Sequence, residues 1–245
     1  MSQALSAEAP ARAASVILPS YNERDNLVPL IGQVLEQCQG ADFETQVVVV
    51  DDDSPDGTAQ SVARAFGADE RVKLVVRRGE RGLASAIWRG VEESAHARLV
   101  FMDTDFNHHP RYLPALLEML DHCPVAVGSR YQPGGGMNTS RLRYWLSYLF
   151  NLLVRGMLGV STTDNLSGFI AIRRPELMSL PHQRIFQGYG DYAIRLLYLA
   201  QRRGLEVRET AVVYEKRLGG QSKTRFVRTF LQYLAATWAL RREGP

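Results

Sequence analysis

Apolar residues recur along this chain with two periods that take turns. Ser15–Leu18 is a short apolar run, and Leu27, Leu30, Ile31, Val34 and Leu35 follow at the spacing of a helix face. TQVVVVD (45–51) is rich in valine, as in a strand covered on both faces. Ala59, Val62, Ala63 and Phe66 mark the next helix, VKLVVR (72–77) a strand and GLASAIWRGVEES (82–94) a helix. ARLVFMD (97–103), RYLPALLEMLD (111–121) and PVAVGSR (124–130) continue as strand, helix and strand. Alternation of this kind predicts an α/β fold with a mostly parallel, Rossmann-like central sheet and helices on both faces.

The pattern changes after Gly136. A helix is expected over 141–158, with Leu142, Trp145, Leu146, Leu149, Leu153 and Met157 on one side. SGFIAIRR (167–174) reads as a strand, 191–203 as a helix and LEVRETAVVYEKR (205–217) as a strand. Val227, Leu231, Leu234 and Trp238 space a final helix, with Arg225, Arg228, Arg241 and Arg242 around it. Residues 1–14 (MSQALSAEAPARAA) lack either period and are expected to be a flexible tail. Residues 15–245 are expected to form a single domain.

Composition narrows this picture only a little. The chain has 245 residues, 45% hydrophobic and 22% charged, in keeping with a soluble globular domain. Its net charge of +3 is too small to imply a nucleic-acid partner. Cys38 and Cys123 lack metal-ligand spacing and fit two buried apolar side chains in a reducing compartment. Neither a signal-peptide core nor an apolar run of about 18 residues is present, so a cytoplasmic location without a membrane span is expected.

Chemistry concentrates where strands end, which is where open α/β sheets bind ligands. Asp103 and Asp105 close an apolar strand one residue apart. Two carboxylates so placed repel when ionised, and a hard divalent cation such as Mg²⁺ or Mn²⁺ relieves the repulsion. A solvated acidic turn is the other reading. A second buried run ends in Asp51, Asp52, Asp53 and Asp56, more acid than helix capping by Ser54 or Asp56 requires. In PSYNE (19–23), Asn22 suits a helix cap, while Tyr21 and Glu23 suit stacking on a base and accepting its hydrogen bonds. The sequence has no G-x-x-x-x-G-K-[ST] motif, and no G-x-G-x-x-G follows the first strand. P-loop nucleotidases and dinucleotide oxidoreductases are thereby disfavoured.

Seven segments then stand in a telling order: PSYNE, VVVVDDDSPDGT, GLASAIWRG, MDTDFNHHP, GSRYQPGG, DNLSGFIAIRR and RLGGQSK. Over residues 15–240 the chain resembles the dolichol-phosphate mannosyltransferase-like enzymes, inverting family 2 glycosyltransferases of GT-A fold. The resemblance implies a nucleotide-binding half (15–130) and an acceptor-binding half (131–245). It implies a nucleotide-sugar donor such as GDP-mannose and a polyprenyl or dolichyl phosphate acceptor. Pro19, Tyr21, Glu23, Val50 and Asp52 would hold the nucleotide. Asp103, Thr104 and Asp105 would meet the metal and the sugar diphosphate, with Asn107 as a further metal ligand. Arg130, Arg217 and Lys223 would sit near phosphates, with Arg141 and Arg143 as additional cations.

Asp191 keeps two readings open: a carboxylate base for a hydroxyl acceptor, or the cap of the helix starting at Tyr192. His108 and His109 read as supporting residues rather than ligands, and Trp88 as core. A lipid acceptor also implies a peripheral position at the membrane face, through the helices at 141–158 and near the C-terminus or through a membrane partner subunit. A chain that binds a sugar nucleotide without turning it over is the remaining alternative.

Overall fold

A computed structural model of the chain describes residues 12–138, 140–215 and 226–244. The strands are β1 (Ala13–Ser20), β2 (Glu44–Asp51), β3 (Val72–Val76), β4 (Arg98–Phe101), β5 (Val125–Ser129), β6 (Gly136–Met137), β7 (Ile170–Arg173), β8 (Val207–Ala211) and β9 (Val213–Tyr214). The helices are α1 (Arg24–Gln39), α2 (Thr58–Phe66), α3 (Leu83–Glu93), α4 (Leu113–Met119), α5 (Arg141–Leu158), α6 (Arg174–Met178), α7 (His182–Ile185), α8 (Tyr192–Arg202) and α9 (Phe226–Glu243). A 3₁₀ turn at Pro110–Tyr112 leads into α4.

Among the described residues, seven strands form one sheet in the order β3-β2-β1-β4-β7-β5-β8. Only β7 runs against its neighbours β4 and β5. The apolar run at 167–174 forecasts burial but cannot forecast this direction. Two expectations need correction. Ala13 and Ala14 already pair with Glu44 and Thr45, so the sheet begins inside the expected tail. The strand expected at 205–217 is broken: β8 closes the main sheet, while β9 pairs with β6 in a separate ribbon.

Strand alternation splits the interior in two. Ile17, Val48, Val50, Leu99 and Phe101 face a core closed by α3, α5 and α8. Val16, Leu18, Val47, Val49 and Val100 face the other core, closed by α1 and α4. Both faces of β2 are thus covered, which is why its sequence is a valine run rather than an alternation. Helix α3 lies so close to β1 that a Cβ on Gly90 would overlap the Ile17 side chain. Gly159 ends α5 in the left-handed conformation, with its N–H donating to the Arg155 carbonyl.

Candidate active site

The carboxyl ends of β1, β2, β4 and β5 open into a cavity of about 650 Å³. Its floor holds Pro19, Tyr21 and Glu23 after β1, Asp52 after β2, Asp103, Thr104, Asp105 and Asn107 after β4, and Arg130 after β5. Its far wall comes from α5 and α9, through Arg143, Phe150 and Tyr233 among others. Most residues singled out at the strand ends are therefore brought to one place.

The segment after β4 is held rigidly. Asp103 keeps 40% of its side chain exposed, whereas Asp105 is buried. The Asn107 N–H donates to Asp105 Oδ1 at 3.0 Å, and Asn107 Nδ2 donates to Oδ2 at 2.7 Å. Asn107 thereby orients Asp105, leaving its own amide oxygen as the atom suited to a cation. Phe106 between them is buried at φ +63°, a left-handed geometry costly for a bulky residue and tolerated where the surroundings over-determine it. Asp103, Asp105 and Asn107 thus bring two carboxylates and an amide oxygen to one cavity, hard-oxygen groups of the kind Mg²⁺ or Mn²⁺ takes.

His108 lies beneath this rim, fully buried. Its Nδ1 accepts the Asp103 N–H at 3.0 Å, and its Nε2 lies 2.8 Å from the Tyr214 hydroxyl. Burial is the main reason its pKa falls from 6.5 to about 4, so it is neutral at pH 7. His109 Nδ1 accepts the Arg111 N–H and starts the 3₁₀ turn. His108 thus bonds the backbone of Asp103, and His109 the turn that leads into α4. Trp88 stacks on His182 at 4.3 Å, away from the cavity.

Asp52 lines the cavity and also binds a neighbouring loop. Arg77 Nε donates to its Oδ1 at 2.7 Å, and the Gly82 N–H donates to its Oδ2 at 2.9 Å. Both partners are buried, and Arg77 also reaches the Gly82 carbonyl and Ser85 Oγ. The Asp52 carboxylate thus staples the 77–82 loop to the end of β2. That loop places the Arg81 guanidinium 4.1 Å from the centroid of the Tyr21 ring, with Arg81 Nη2 donating to the Tyr21 hydroxyl.

Several side chains sit elsewhere than the sequence suggests, for local reasons. Val50 points into the core and does not line the cavity, because alternation along β2 turns it toward α3. Asn22 does not cap α1; it adopts φ +54°, and Glu23 occupies the N-cap. Ser54 is drawn away from capping by Asp51, donating to it through both Oγ and N–H. Asp56 accepts the Thr58 N–H from one residue before the cap position, held by Gly57. Asp191 stands at the start of α8, yet its carboxylate neither caps the helix nor lines the cavity. Arg195, one turn on, donates to it at 2.8 Å, as does the Tyr189 N–H. Arg217, Lys223, Arg225 and the side chain of Arg228 lie outside the described residues.

Arg130 lines the cavity, as do Arg81 and Arg143. Asp164 grips it at Nε and Nη2, and the Arg130 N–H donates to the same carboxylate at 3.1 Å. Burial would lower the guanidinium pKa, but the Asp164 charge more than offsets this and holds it above its ordinary value. Nη1 has no hydrogen-bond acceptor among the described residues. The Tyr131 and Tyr214 rings flank the guanidinium at 5.2 and 4.7 Å. Asp164 in turn is fixed by its N–H donating to Glu209 at 3.0 Å. Asp164, Arg77, Arg81 and Tyr214 escaped the sequence reading of roles, although Asp164 and Arg81 lie in or beside quoted motifs.

A mostly parallel sheet with an acidic D-x-D rim at its carboxyl end fits the GT-A class of glycosyltransferases. Residues 15–179 match the model of Glycosyl transferase family 2, and the chain belongs to that family. It is 34% identical over 220 residues to polyprenol monophosphomannose synthase of Mycolicibacterium smegmatis, covering 87% of this chain and 82% of that protein. It is 33% identical over 212 residues to undecaprenyl-phosphate mannosyltransferase of Micrococcus luteus, covering 84% and 85%. It is 32% identical over 236 residues to dolichol-phosphate mannosyltransferase of Pyrococcus furiosus, covering 92% of this chain but 63% of that longer protein. Among solved structures, glucosyl-3-phosphoglycerate synthase of Mycobacterium tuberculosis in complex with Mn²⁺, UDP and phosphoglyceric acid shares the fold. Its TM-score is 0.71 at 22% identity, covering 96% of this chain and 80% of that one.

Proposed function

We propose that this glycosyltransferase moves mannose from GDP-mannose to a polyprenyl phosphate at a membrane face, with a divalent cation and inversion at the anomeric carbon. One observation supports this above others. One cavity is lined by two carboxylates, Asp103 and Asp105, and by a buried cation, Arg130, whose Nη1 is uncommitted among the described residues. The names of the relatives at 32–34% identity agree with a mannosyl donor and a lipid phosphate acceptor.

Asp103, Asp105 and the Asn107 amide oxygen would hold the cation, which when bound neutralises charge developing on the departing diphosphate. Tyr21, with Arg81 over its face, bounds the nucleotide side. Arg130 orients the acceptor phosphate. A phosphomonoester has a second pKa of about 6 and is already an anionic nucleophile at neutral pH. It needs cations rather than a base, which agrees with Asp191 being committed to Arg195.

The acceptor's lipid tail calls for an apolar approach. Leu142, Trp145, Leu146, Leu149, Leu152 and Leu153 form an exposed stripe along α5, and Leu231 and Trp238 are exposed on the neighbouring α9. Arg143, on the first turn of α5, lines the cavity beside this stripe. The stripe would lie in a bilayer surface, with Arg141, Arg155, Arg241 and Arg242 near anionic headgroups. No helix among the described residues is long and apolar enough to cross a membrane. A peripheral mode on the cytoplasmic side, alone or with a membrane partner subunit, fits this surface. The reading is tested by following labelled mannose from GDP-mannose into a lipid extract, with UDP-glucose as the competing donor.

A further inference from the structure

Tyr214 ends β9 between the two sides of the cavity. Its hydroxyl is 2.8 Å from His108 Nε2 and 2.9 Å from Ser167 Oγ, and its ring lies under the Arg130 guanidinium. The direction of every bond in this chain follows from its ends. Ser167 Oγ is 2.6 Å from the Gly128 carbonyl, which only accepts, so the single serine proton goes there. The Tyr214 hydroxyl must therefore donate to Ser167 Oγ. Its oxygen is then left to accept from His108 Nε2–H. At the other end the Asp103 N–H only donates, so His108 Nδ1 carries no proton. One tautomer of His108 satisfies all four bonds: the Asp103 N–H fixes Nδ1 as the acceptor, and the Tyr214 hydroxyl accepts the Nε2–H that results.

We propose that Tyr214 is a positioning residue that sets Asp103 and Arg130 relative to each other. Its hydroxyl, through His108, fixes the backbone of Asp103, while its ring carries the guanidinium. The inference rests on reading Asp103 as the donor side and Arg130 as the acceptor side. A phenylalanine here would keep the ring but remove the 2.8 Å acceptor of His108 Nε2–H, leaving it to turn toward Asp103 Oδ2, 3.7 Å away. The imidazole would then have reason to turn or exchange its proton, and the Asp103 N–H would lose its partner. Burial raises the Tyr214 pKa, so the phenol stays protonated and is not a base in the reaction.

The test compares Tyr214→Phe, Tyr214→Leu and Ser167→Ala in the full chain. Imidazole and amide ¹⁵N spectra read the His108 tautomer and the Asp103 amide. Calorimetry reads GDP and UDP binding with Mn²⁺, and steady-state kinetics reads acceptor KM. In Tyr214→Phe the His108 and Asp103 signals should shift and diphosphate–Mn²⁺ affinity should fall about tenfold, with acceptor KM within about twofold of wild type. Tyr214→Leu should add a rise in acceptor KM of about tenfold, from loss of the cation–π contact. Ser167→Ala should lower thermal stability but leave diphosphate affinity within about twofold, because the His108–Tyr214 bond survives. An unmoved Asp103 amide in Tyr214→Phe, or an affinity loss matched by Ser167→Ala, overturns the proposal. A wild-type chain that binds neither diphosphate defeats the donor-site reading instead, and the spectra still decide whether Tyr214 holds Asp103.

Discussion

Asp164 holds Arg130 with both carboxylate oxygens, 2.7 Å from Nε and 2.7 Å from Nη2, and both side chains are buried. A buried pair of this kind adds little net stability, but removing one partner strands the other charge. Asp164→Asn is therefore expected to cost about 3–5 kcal/mol in urea unfolding. Arg130→Lys keeps the charge but loses the planar fork, and should lower kcat/KM for the acceptor about tenfold or more. Wild-type stability in Asp164→Asn, or an unchanged kcat/KM in Arg130→Lys, would show that the pair does not hold the cation in place.

The Asp52 carboxylate is bound by Arg77 and by the Gly82 N–H, so its removal should be felt through the loop. Asp52→Ala is expected to speed amide exchange across residues 77–82 and to weaken nucleotide binding about tenfold. Hydrogen exchange and calorimetry together check this. Weakened binding with an unchanged loop would mean instead that Asp52 meets the nucleotide directly.

These two pairs mark the limit of what was legible beforehand. The alternation of valine runs and helical stripes is written locally, so the sheet, both cores and the cavity's strand ends could be read. Asp103, Asp105, Tyr21 and Arg130 were readable because they sit where strands end. The partner of a buried charge is not local: Arg77 stands 25 residues after Asp52, and Asp164 stands 34 after Arg130. The Asp191 side chain's partner was hidden for a similar reason, because a helix cap and an i,i+4 ion pair with Arg195 suit the same aspartate. The direction of β7 depends on how the chain crosses the sheet, which its own residues do not encode. The stripe on α5 was readable as amphipathic, but exposure rather than burial of that stripe is set by the packing of α5 against α9.

His108 makes folding sensitive to mild acid. Its pKa is 6.5 when exposed and about 4 in the fold. Between those values the unfolded chain binds more protons than the folded one, so stability is full above pH 6.5 and falls as pH drops toward 4. Urea unfolding should show a loss of about 2 kcal/mol from this group between pH 7 and pH 5. Equal stability at the two pH values, or a gain at pH 5, would mean that the imidazole is charged in the fold.

The α5 stripe should govern membrane contact without affecting the fold. Trp145→Asp and Leu149→Asp alter exposed positions, so unfolding free energy should change by less than about 0.5 kcal/mol. Flotation with vesicles containing anionic lipid should fall about tenfold or more for each. Undiminished flotation in both variants would place the membrane contact elsewhere or assign it to a partner subunit.

The reaction itself is read by incubating the chain with radiolabelled GDP-mannose, Mg²⁺ and a short polyprenyl phosphate, then counting label in the organic extract. Wild type should yield lipid-linked mannose. Asp105→Ala, checked for folding by urea unfolding, should lower the rate about 100-fold or more. The proposed reaction fails if no label reaches the lipid from any nucleotide sugar, or if transfer proceeds at the wild-type rate without Asp105.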